Sequence, residues 1–304
     1  LLQKLKDEKV VNEKKPAVIV VPTALLFNWT KEIEHFAPQL SSSIFHGTAR
    51  NLSNCKTDVV LTTYGVSRTD KDKLKKLKPS VLVIDEAQNI KNAQTEQTKA
   101  VKSIAAPIKI AMSGTPVENR MSEFWSIMDF TNKGFLGTAK AFNTDFAMPI
   151  QNDGNEQVAE RFRKITAPFM MRRLKTDKSI ISDLPDKIET NEYATLTKEQ
   201  ASLYEKTVQE AMKTIEGIGE TDSKSLFKRS ALVLQMMLSL KQICNHPTQF
   251  LKNGVMDASL SGKTEMLFSL LDTIIENNEK VLIFTQFAEM GELLCRFIAE
   301  HFDE

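Results

Sequence analysis

The sequence predicts an α/β fold built around a parallel sheet, and two features of its pattern carry that prediction. Apolar runs rich in β-branched residues recur at 17–21, 58–63, 81–84 and 108–112. Segments with helical spacing of apolar residues lie between them, and this alternation is typical of a parallel sheet covered by helices. The first three runs are continuous rather than alternating, as expected for strands buried on both faces.

The other elements are predicted from apolar periodicity and from the glycines and prolines that interrupt it. In the first part of the chain, helices are predicted at 1–9, 23–36 (with Thr23 as its cap), 70–78 and 93–105, and a short strand at 44–46. Residues 120–180 are predicted to be helical, with loop breaks near Gly134, Gly137 and Gly154. A linker at 183–190 precedes predicted helices at 197–245, broken near Gly217 and Gly219, and at 262–277. Residues 280–285 are predicted to form a strand that opens a second α/β unit.

Composition is that of an ordinary globular protein. Of its residues, 41% are hydrophobic and 26% charged, and the net charge is +1. The length of 304 residues leads us to expect two domains. No apolar run approaches the ~20 residues of a membrane span, so no membrane partner is expected. The balanced charge neither supports nor excludes a basic nucleic-acid groove. Three widely separated cysteines, Cys55, Cys244 and Cys295, favour a reducing compartment and give no paired-cysteine zinc spacing.

The most informative segment is 81–88, Val-Leu-Val-Ile-Asp-Glu-Ala-Gln. A predicted buried strand leads directly into two adjacent carboxylates, and α/β sheets bind ligands at the carboxyl ends of their strands. Asp85 is suited to hold Mg²⁺, and Glu86 to orient or deprotonate an attacking water. The alternative is a strand that simply ends in polar residues at the surface, and this segment alone does not separate the two.

Small polar residues also follow the neighbouring strands. They are Pro22 and Thr23, Thr62 and Thr63, and the Ser-Gly-Thr-Pro segment at 113–116. Strand ends of a parallel sheet share one edge, where hydroxyl groups and helix N-termini suit the phosphate oxygens of a nucleotide or a nucleic-acid backbone. A helix cap explains any one threonine better. The whole set, in this order, is what points to phosphate binding.

In their order, these motifs resemble those of the superfamily-two helicase-like ATPases, and within them the Swi/Snf-type DNA translocases. The matching segments are 20–29, 61–65, 83–92, 113–120, 171–175, 240–247 and 281–287. The last three are particular to the Swi/Snf group. A strand-separating helicase or a restriction-system motor shares the acidic strand but does not predict the segments at 171–175 and 240–247. Glu-Asn-Arg at 118–120 is similar to the bacterial and archaeal branch.

The resemblance implies a RecA-like ATPase lobe at 1–183 with a helical insertion at 120–180. It implies the N-terminal part of a second RecA-like lobe at 184–304, with a helical protrusion at 197–250. ATP and Mg²⁺ are the implied cofactors. The implied partners are double-stranded DNA and DNA-bound proteins such as RNA polymerase, in the bacterial nucleoid or the eukaryotic nucleus.

Residue roles follow from the same resemblance. Asp85 would hold Mg²⁺, Glu86 would activate water, and Gln88 would sense the γ-phosphate. Ser113, Gly114 and Thr115 would couple the nucleotide state to the grip on DNA. The implied DNA contacts are Pro22, Thr23, Thr62, Thr63 and Gln286. Trp29 is a candidate for base stacking, although its place on an amphipathic helix favours core packing.

The sequence departs from the family pattern in two ways. It contains no Gly-x-x-x-x-Gly-Lys-Ser/Thr phosphate loop, and it lacks the later motifs that include the arginine finger. Ser-Gly-Lys-Thr at 261–264 has Asp257 in place of the first glycine, and we expect it to begin a second-lobe helix. We therefore expect the loop and its strand to lie outside this sequence, leaving an incomplete sheet, and these residues alone to be inactive. The alternative is a non-catalytic DNA-binding or scaffold module of the same fold.

Overall fold

The computed structural model describes residues 1–52, 56–114, 120–180, 182–218 and 223–302. The chain forms two compact units, residues 1–182 and 183–304. No helix in the described ranges has the length and apolar character needed to cross a membrane.

A five-stranded parallel sheet forms the centre of the first unit. Its strands are β1 Ala17–Val21, β2 Ser42–Phe45, β3 Val59–Thr63, β4 Val81–Ile84 and β5 Ile108–Ala111. They lie in the order β2-β3-β1-β4-β5, and every neighbouring pair is parallel. All residues of β1, β3 and β4 are buried, whereas β5, at the edge, is half-buried. The predicted parallel α/β sheet is therefore confirmed.

Two apolar cores lie on opposite faces of this sheet. Val18 and Val20 of β1 belong to one core, and Ala17, Ile19 and Val21 belong to the other. This alternation follows from the two-residue repeat of a strand. The helices that cover the faces are α1 Leu2–Asp7, α2 Leu26–Phe36, α3 Tyr64–Thr69, α4 Lys71–Lys76 and α5 Glu96–Lys102.

Short helices follow the sheet in the sequence. They are α6 Met121–Thr131, α7 Ala139–Phe142, a π-turn at Asn143–Ala147, α8 Met148–Gln151 and α9 Glu156–Thr166. Phe124, Phe142 and Phe162 form their core. The helical prediction is confirmed to Phe169, but residues 170–180 are exposed and contain no helix. A run that buries none of its apolar side chains has little to stabilise helical turns.

Two local predictions near the sheet need correction. Thr23 does not cap a helix; it begins a 3₁₀ turn, Thr23–Leu25, and no side-chain cap bonds the start of α2. The helix predicted at 93–105 is shorter, because Thr95 caps it by accepting a hydrogen bond from the Thr98 backbone N–H.

The regular structure in the described part of the second unit is all helical, and loops such as 183–197 and 277–287 separate its helices. Its helices are α10 Lys198–Glu216, α11 Ser223–Asn245, α12 Pro247–Leu251, α13 Gly262–Glu276 and α14 Ala288–His301. The strand predicted at 280–285 is wrong: the segment pairs with no strand, and Leu282 and Phe284 are 82% and 88% exposed. An apolar run becomes a strand only where a neighbouring strand pairs its backbone groups, and the described part of this unit contains no other strand.

Candidate nucleotide site at the carboxyl end of β4

A sharp turn directly after β4 holds Asp85 and Glu86 at the carboxyl edge of the sheet. The Asp85 backbone N–H donates to Val20 O at 2.9 Å, which extends the pairing of β4 with β1. Glu86 then adopts a left-handed conformation, with φ 50° and ψ 58°. The Ala87 N–H donates to Met112 O at 2.8 Å, so the turn is tied to the end of β5. A non-glycine residue in this conformation is uncommon and is held by its surroundings.

Asp85 is held through both its carboxylate and its backbone. Oδ1 accepts the Glu86 backbone N–H at 2.8 Å, and Oδ2 accepts the Trp29 indole N–H at 2.8 Å. The Tyr64 hydroxyl donates to the Asp85 carbonyl at 2.5 Å. Burial of Tyr64, with the nearby charges of Asp85 and Glu86, raises the pKa of this phenol, so it remains a donor at neutral pH. The carboxylate therefore has a defined position at the edge of the sheet.

A chain of hydrogen bonds connects Glu86 to the end of β5. Gln88 Nε2 donates to Glu86 Oε2 at 2.6 Å, and Ser113 Oγ donates to Gln88 Oε1 at 2.8 Å. Glu86, Gln88 and Ser113 are all half-buried. The structure thus brings Asp85, Glu86, Gln88 and Ser113 together. Gly114 follows as an exposed residue, and Thr115 lies outside the described residues.

The predicted DNA contacts do not all lie on the surface. Pro22 is half-buried and Thr23 is exposed, directly after β1. Thr62 has no exposed surface and donates its hydroxyl to Phe45 O at 3.0 Å. Thr63 is 2% exposed and caps α3 by accepting the Val66 N–H at 3.3 Å. The structure therefore corrects the predicted phosphate contacts of both threonine hydroxyls.

Trp29 combines packing with a polar contact that the sequence did not suggest. Its half-buried ring packs against the apolar core under β1, which confirms the packing prediction. Its N–H reaches Asp85, which lies 56 positions later in the sequence. The spacing of Leu25 and Trp29 places the ring on the sheet, but no local pattern indicates which acceptor the N–H finds.

In the second unit, the segment at 261–264 begins a helix, as predicted. Ser261 caps α13 by accepting the Thr264 N–H, and Thr264 is 1% exposed. Exposed Lys263 donates to Asn245 Oδ1 at 3.2 Å. Gln286, a predicted DNA contact, is exposed before α14.

His246 also has a structural role. It is fully buried, its Nδ1 accepts the Thr248 N–H at 3.2 Å, and its Nε2 lies 3.0 Å from Asp257 O. This arrangement requires the neutral ring protonated on Nε2.

The acidic pair has a donor set that fits Mg²⁺ held together with a nucleotide. Among the described residues, no three His, Cys, Asp or Glu side chains are grouped to hold a metal by themselves. Mg²⁺ in such sites uses one or two carboxylates together with water and substrate phosphates, and seldom an all-protein cage. Asp85 and Glu86, side by side and half-buried, provide that kind of partial set.

Comparison with known proteins gives one consistent family. The family of SNF2-related domains matches residues 1–249. A putative ATP-dependent helicase/translocase of Bacillus subtilis, YwqA, is 39% identical over 300 residues, covering 96% of this chain and 32% of that protein. The TATA-binding protein-associated factor Mot1 of Schizosaccharomyces pombe is 34% identical over 78% of this chain and 13% of its own length. The chain therefore spans a third or less of these relatives.

A solved structure supports the same relation. The SWI2/SNF2 ATPase core of Sulfolobus solfataricus in complex with double-stranded DNA is 38% identical, with a TM-score of 0.58 over 99% of this chain and 62% of that one. This likeness confirms the expected RecA-like α/β fold.

Proposed function

Because the chain belongs to the SNF2-related domain family, we propose that it forms part of an ATP-driven motor that tracks along double-stranded DNA. The observation that carries the proposal is the hydrogen-bonded group of acids, amide and hydroxyl at the ends of β4 and β5. It is supported by the name of the Bacillus relative and by the DNA in the Sulfolobus complex.

Each residue of this group is suited to one task in phosphoryl transfer. Asp85 would hold Mg²⁺, which when bound would offset the negative charge of the phosphates. Glu86 would orient the attacking water and accept its proton. Gln88, held between Glu86 and Ser113, has an amide whose position depends on both neighbours. A change at the phosphate end would therefore reach the end of β5 through this amide.

The coupling segment would be Ser113, Gly114 and Thr115. Ser113 donates to Gln88 in the hydrogen-bonded chain from Glu86, and the exposed Gly114 follows it. In this proposal, the state of the nucleotide site changes how residues after β5 are held, and these residues pass the change to DNA.

For DNA contact we retain Pro22 and Thr23, which follow β1, and Gln286, which is exposed in the second unit. We leave out the hydroxyls of Thr62 and Thr63 because both are buried and engaged. DNA-bound proteins, such as RNA polymerase, are the proposed targets of the motor, in a bacterial nucleoid or a eukaryotic nucleus.

The test is a DNA-stimulated ATPase assay on the protein that carries these residues. Glu86→Gln should reduce turnover by about 10²–10⁴-fold, the usual contribution of a general base. Glu96→Gln is the matched control, because Glu96 is an exposed carboxylate that pairs with Lys99 on the same helix. Equal turnover in the two variants would refute the assignment of Glu86.

A second outcome separates the motor from a scaffold. A wild-type protein that binds duplex DNA but shows no DNA-stimulated hydrolysis would favour a non-catalytic module. The 304-residue chain alone should hydrolyse little ATP, because its sequence contains no phosphate loop. Turnover by this chain equal to that of a complete relative would contradict that expectation.

A further inference from the structure

The hydrogen bond between Trp29 and Asp85 has no part in the proposed chemistry, yet it joins two functional segments. Trp29 lies in the first turn of α2, which follows Pro22 and Thr23. Its indole N–H donates to Asp85 Oδ2 at 2.8 Å. We propose that Trp29 is a positioning residue that orients the Asp85 carboxylate for a divalent cation. The inference rests on the proposed function of Asp85. It adds a structural link between Pro22 and Thr23, the proposed DNA contacts that we call the DNA-side segment, and the proposed nucleotide site at Asp85.

The geometry at Asp85 leaves room for a cation. Among the described residues, Oδ1 accepts one hydrogen bond from the Glu86 backbone, and Oδ2 accepts one from Trp29. Each carboxylate oxygen has two lone-pair directions, so the described residues leave one direction on each for a metal or its water. Because an indole N–H is neutral, it fixes the carboxylate without cancelling its charge, as a lysine or arginine would.

Packing makes the indole a rigid donor. The Trp29 ring lies half-buried against the core that contains Ile19 and Val21 of β1, together with Leu25. The Asp85 backbone is fixed by its bond to Val20 O, on the same strand. Strand β1 therefore fixes the positions of both the donor, Trp29, and the acceptor, Asp85. Groups that hydrogen-bond to a metal-binding carboxylate typically account for 10–100-fold in metal affinity.

The first experiment measures cation affinity on the 304-residue chain. Mn²⁺ is the probe, because it prefers the same oxygen ligands as Mg²⁺ and its binding is read from water-proton relaxation. Trp29→Phe removes the donor and keeps an aromatic ring, and should weaken Mn²⁺ binding by about tenfold. Trp125→Phe is the matched control: it removes an indole that donates to Gly137 O at 3.2 Å, and should leave the affinity unchanged.

The second experiment observes the indole directly. The chain has two tryptophans, so a ¹⁵N-labelled sample shows two indole N–H signals. Mn²⁺ should broaden the Trp29 signal much more than that of Trp125. Asp85→Ala should shift the Trp29 signal and abolish its selective broadening. A purely structural tryptophan would alter thermal unfolding without changing Mn²⁺ affinity.

The outcomes separate this inference from the proposed function. Equal Mn²⁺ affinity of wild type and Trp29→Phe, or equal broadening of both indole signals, would overturn the role of Trp29. A protein without DNA-stimulated ATPase activity, but with selective broadening that depends on Asp85, would refute the motor and leave the cation-positioning role intact.

Discussion

Replacing Gly262 with alanine should destabilise the second unit strongly, because the backbone of another segment lies where the new methyl group would be. A Cβ at Gly262 would lie 1.8 Å from Thr195 O and 3.1 Å from Thr195 C. A carbon and a carbonyl oxygen approach no closer than about 3.3 Å in ordinary contacts, so the two segments would have to separate by roughly 1.5 Å.

Hydrogen bonds on both sides of this contact resist that movement. The Gly262 N–H donates to Gln200 Oε1 at 3.2 Å, and the Thr197 hydroxyl donates to Leu260 O at 3.0 Å. Gln200 is fully buried, so its lost partner would not be replaced by water. Overpacking costs about 1–3 kcal/mol and each lost hydrogen bond about 1 kcal/mol, which gives a decrease of about 2–5 kcal/mol in the free energy of unfolding.

Urea unfolding of the chain measures this loss, with Gly217→Ala as the matched control. Gly217 has a right-handed conformation, φ −66°, and a Cβ there would lie 3.5 Å from Lys213 O, an ordinary contact. Alanine at Gly217 should therefore be neutral or stabilise by about 0.4–1 kcal/mol. An unfolding midpoint for Gly262→Ala that matches wild type would refute the reasoning.

The next residue, Lys263, tests whether 261–264 is a phosphate loop. Lys263 is exposed and bonds Asn245, so Lys263→Ala should leave stability and ATP turnover nearly unchanged. A phosphate-loop lysine, in contrast, is required for nucleotide binding. Loss of turnover in Lys263→Ala, with normal unfolding, would show that the segment binds phosphate after all.

Three further predictions concern the site and two buried titratable groups. Gln88→Ala should lower ATP turnover by about tenfold with little change in unfolding midpoint, because its amide bonds a charged carboxylate; unchanged turnover would contradict the hydrogen-bonded chain. Burial lowers the pKa of His246 from 6.5. The unfolded chain therefore binds a proton that the folded chain does not, and the free energy of unfolding should fall as the pH decreases below 6.5. His246→Gln should flatten this pH dependence, measured by urea unfolding. Burial opposes ionisation of Asp58, but hydrogen bonds from Lys6 and Ser41 outweigh it and hold its pKa below 3.8. Asp58→Asn should thus cost about 1–3 kcal/mol at neutral pH, and the loss should shrink in acid as the native carboxylate is protonated.

The sequence predicts the sheet well because strands buried on both faces must be apolar throughout. Residues 17–21 and 81–84 satisfy this condition, and the acids that follow β4 must then lie at the carboxyl edge. The segment at 280–285 has the same apolar character but is not a strand. An apolar composition indicates that a segment can be buried. It does not indicate whether a neighbouring strand is present to pair with its backbone.

The contacts of the site were predicted less well, because they join segments far apart in the sequence. Trp29 and Tyr64 reach Asp85 across 56 and 21 positions. Nothing in their local sequence names the acceptor. For Thr62 and Thr63 the position was predicted correctly but the contacts were not. Both lie at a strand end, as expected, but the Thr62 hydroxyl bonds Phe45 O and the Thr63 hydroxyl caps α3.

The two aromatic contacts of Asp85 should have separable effects, since each holds a different part of the residue. Trp29 holds the carboxylate, and the buried Tyr64 holds the main-chain carbonyl. Tyr64→Phe should therefore lower the free energy of unfolding by about 1 kcal/mol and leave the Mn²⁺ affinity unchanged. Trp29→Phe should weaken Mn²⁺ binding with a smaller effect on unfolding. If both variants weakened Mn²⁺ binding equally, the backbone position of Asp85 would determine the cation affinity. Helix α2, through Trp29, would then not connect the DNA-side segment to the metal-holding carboxylate independently of that backbone.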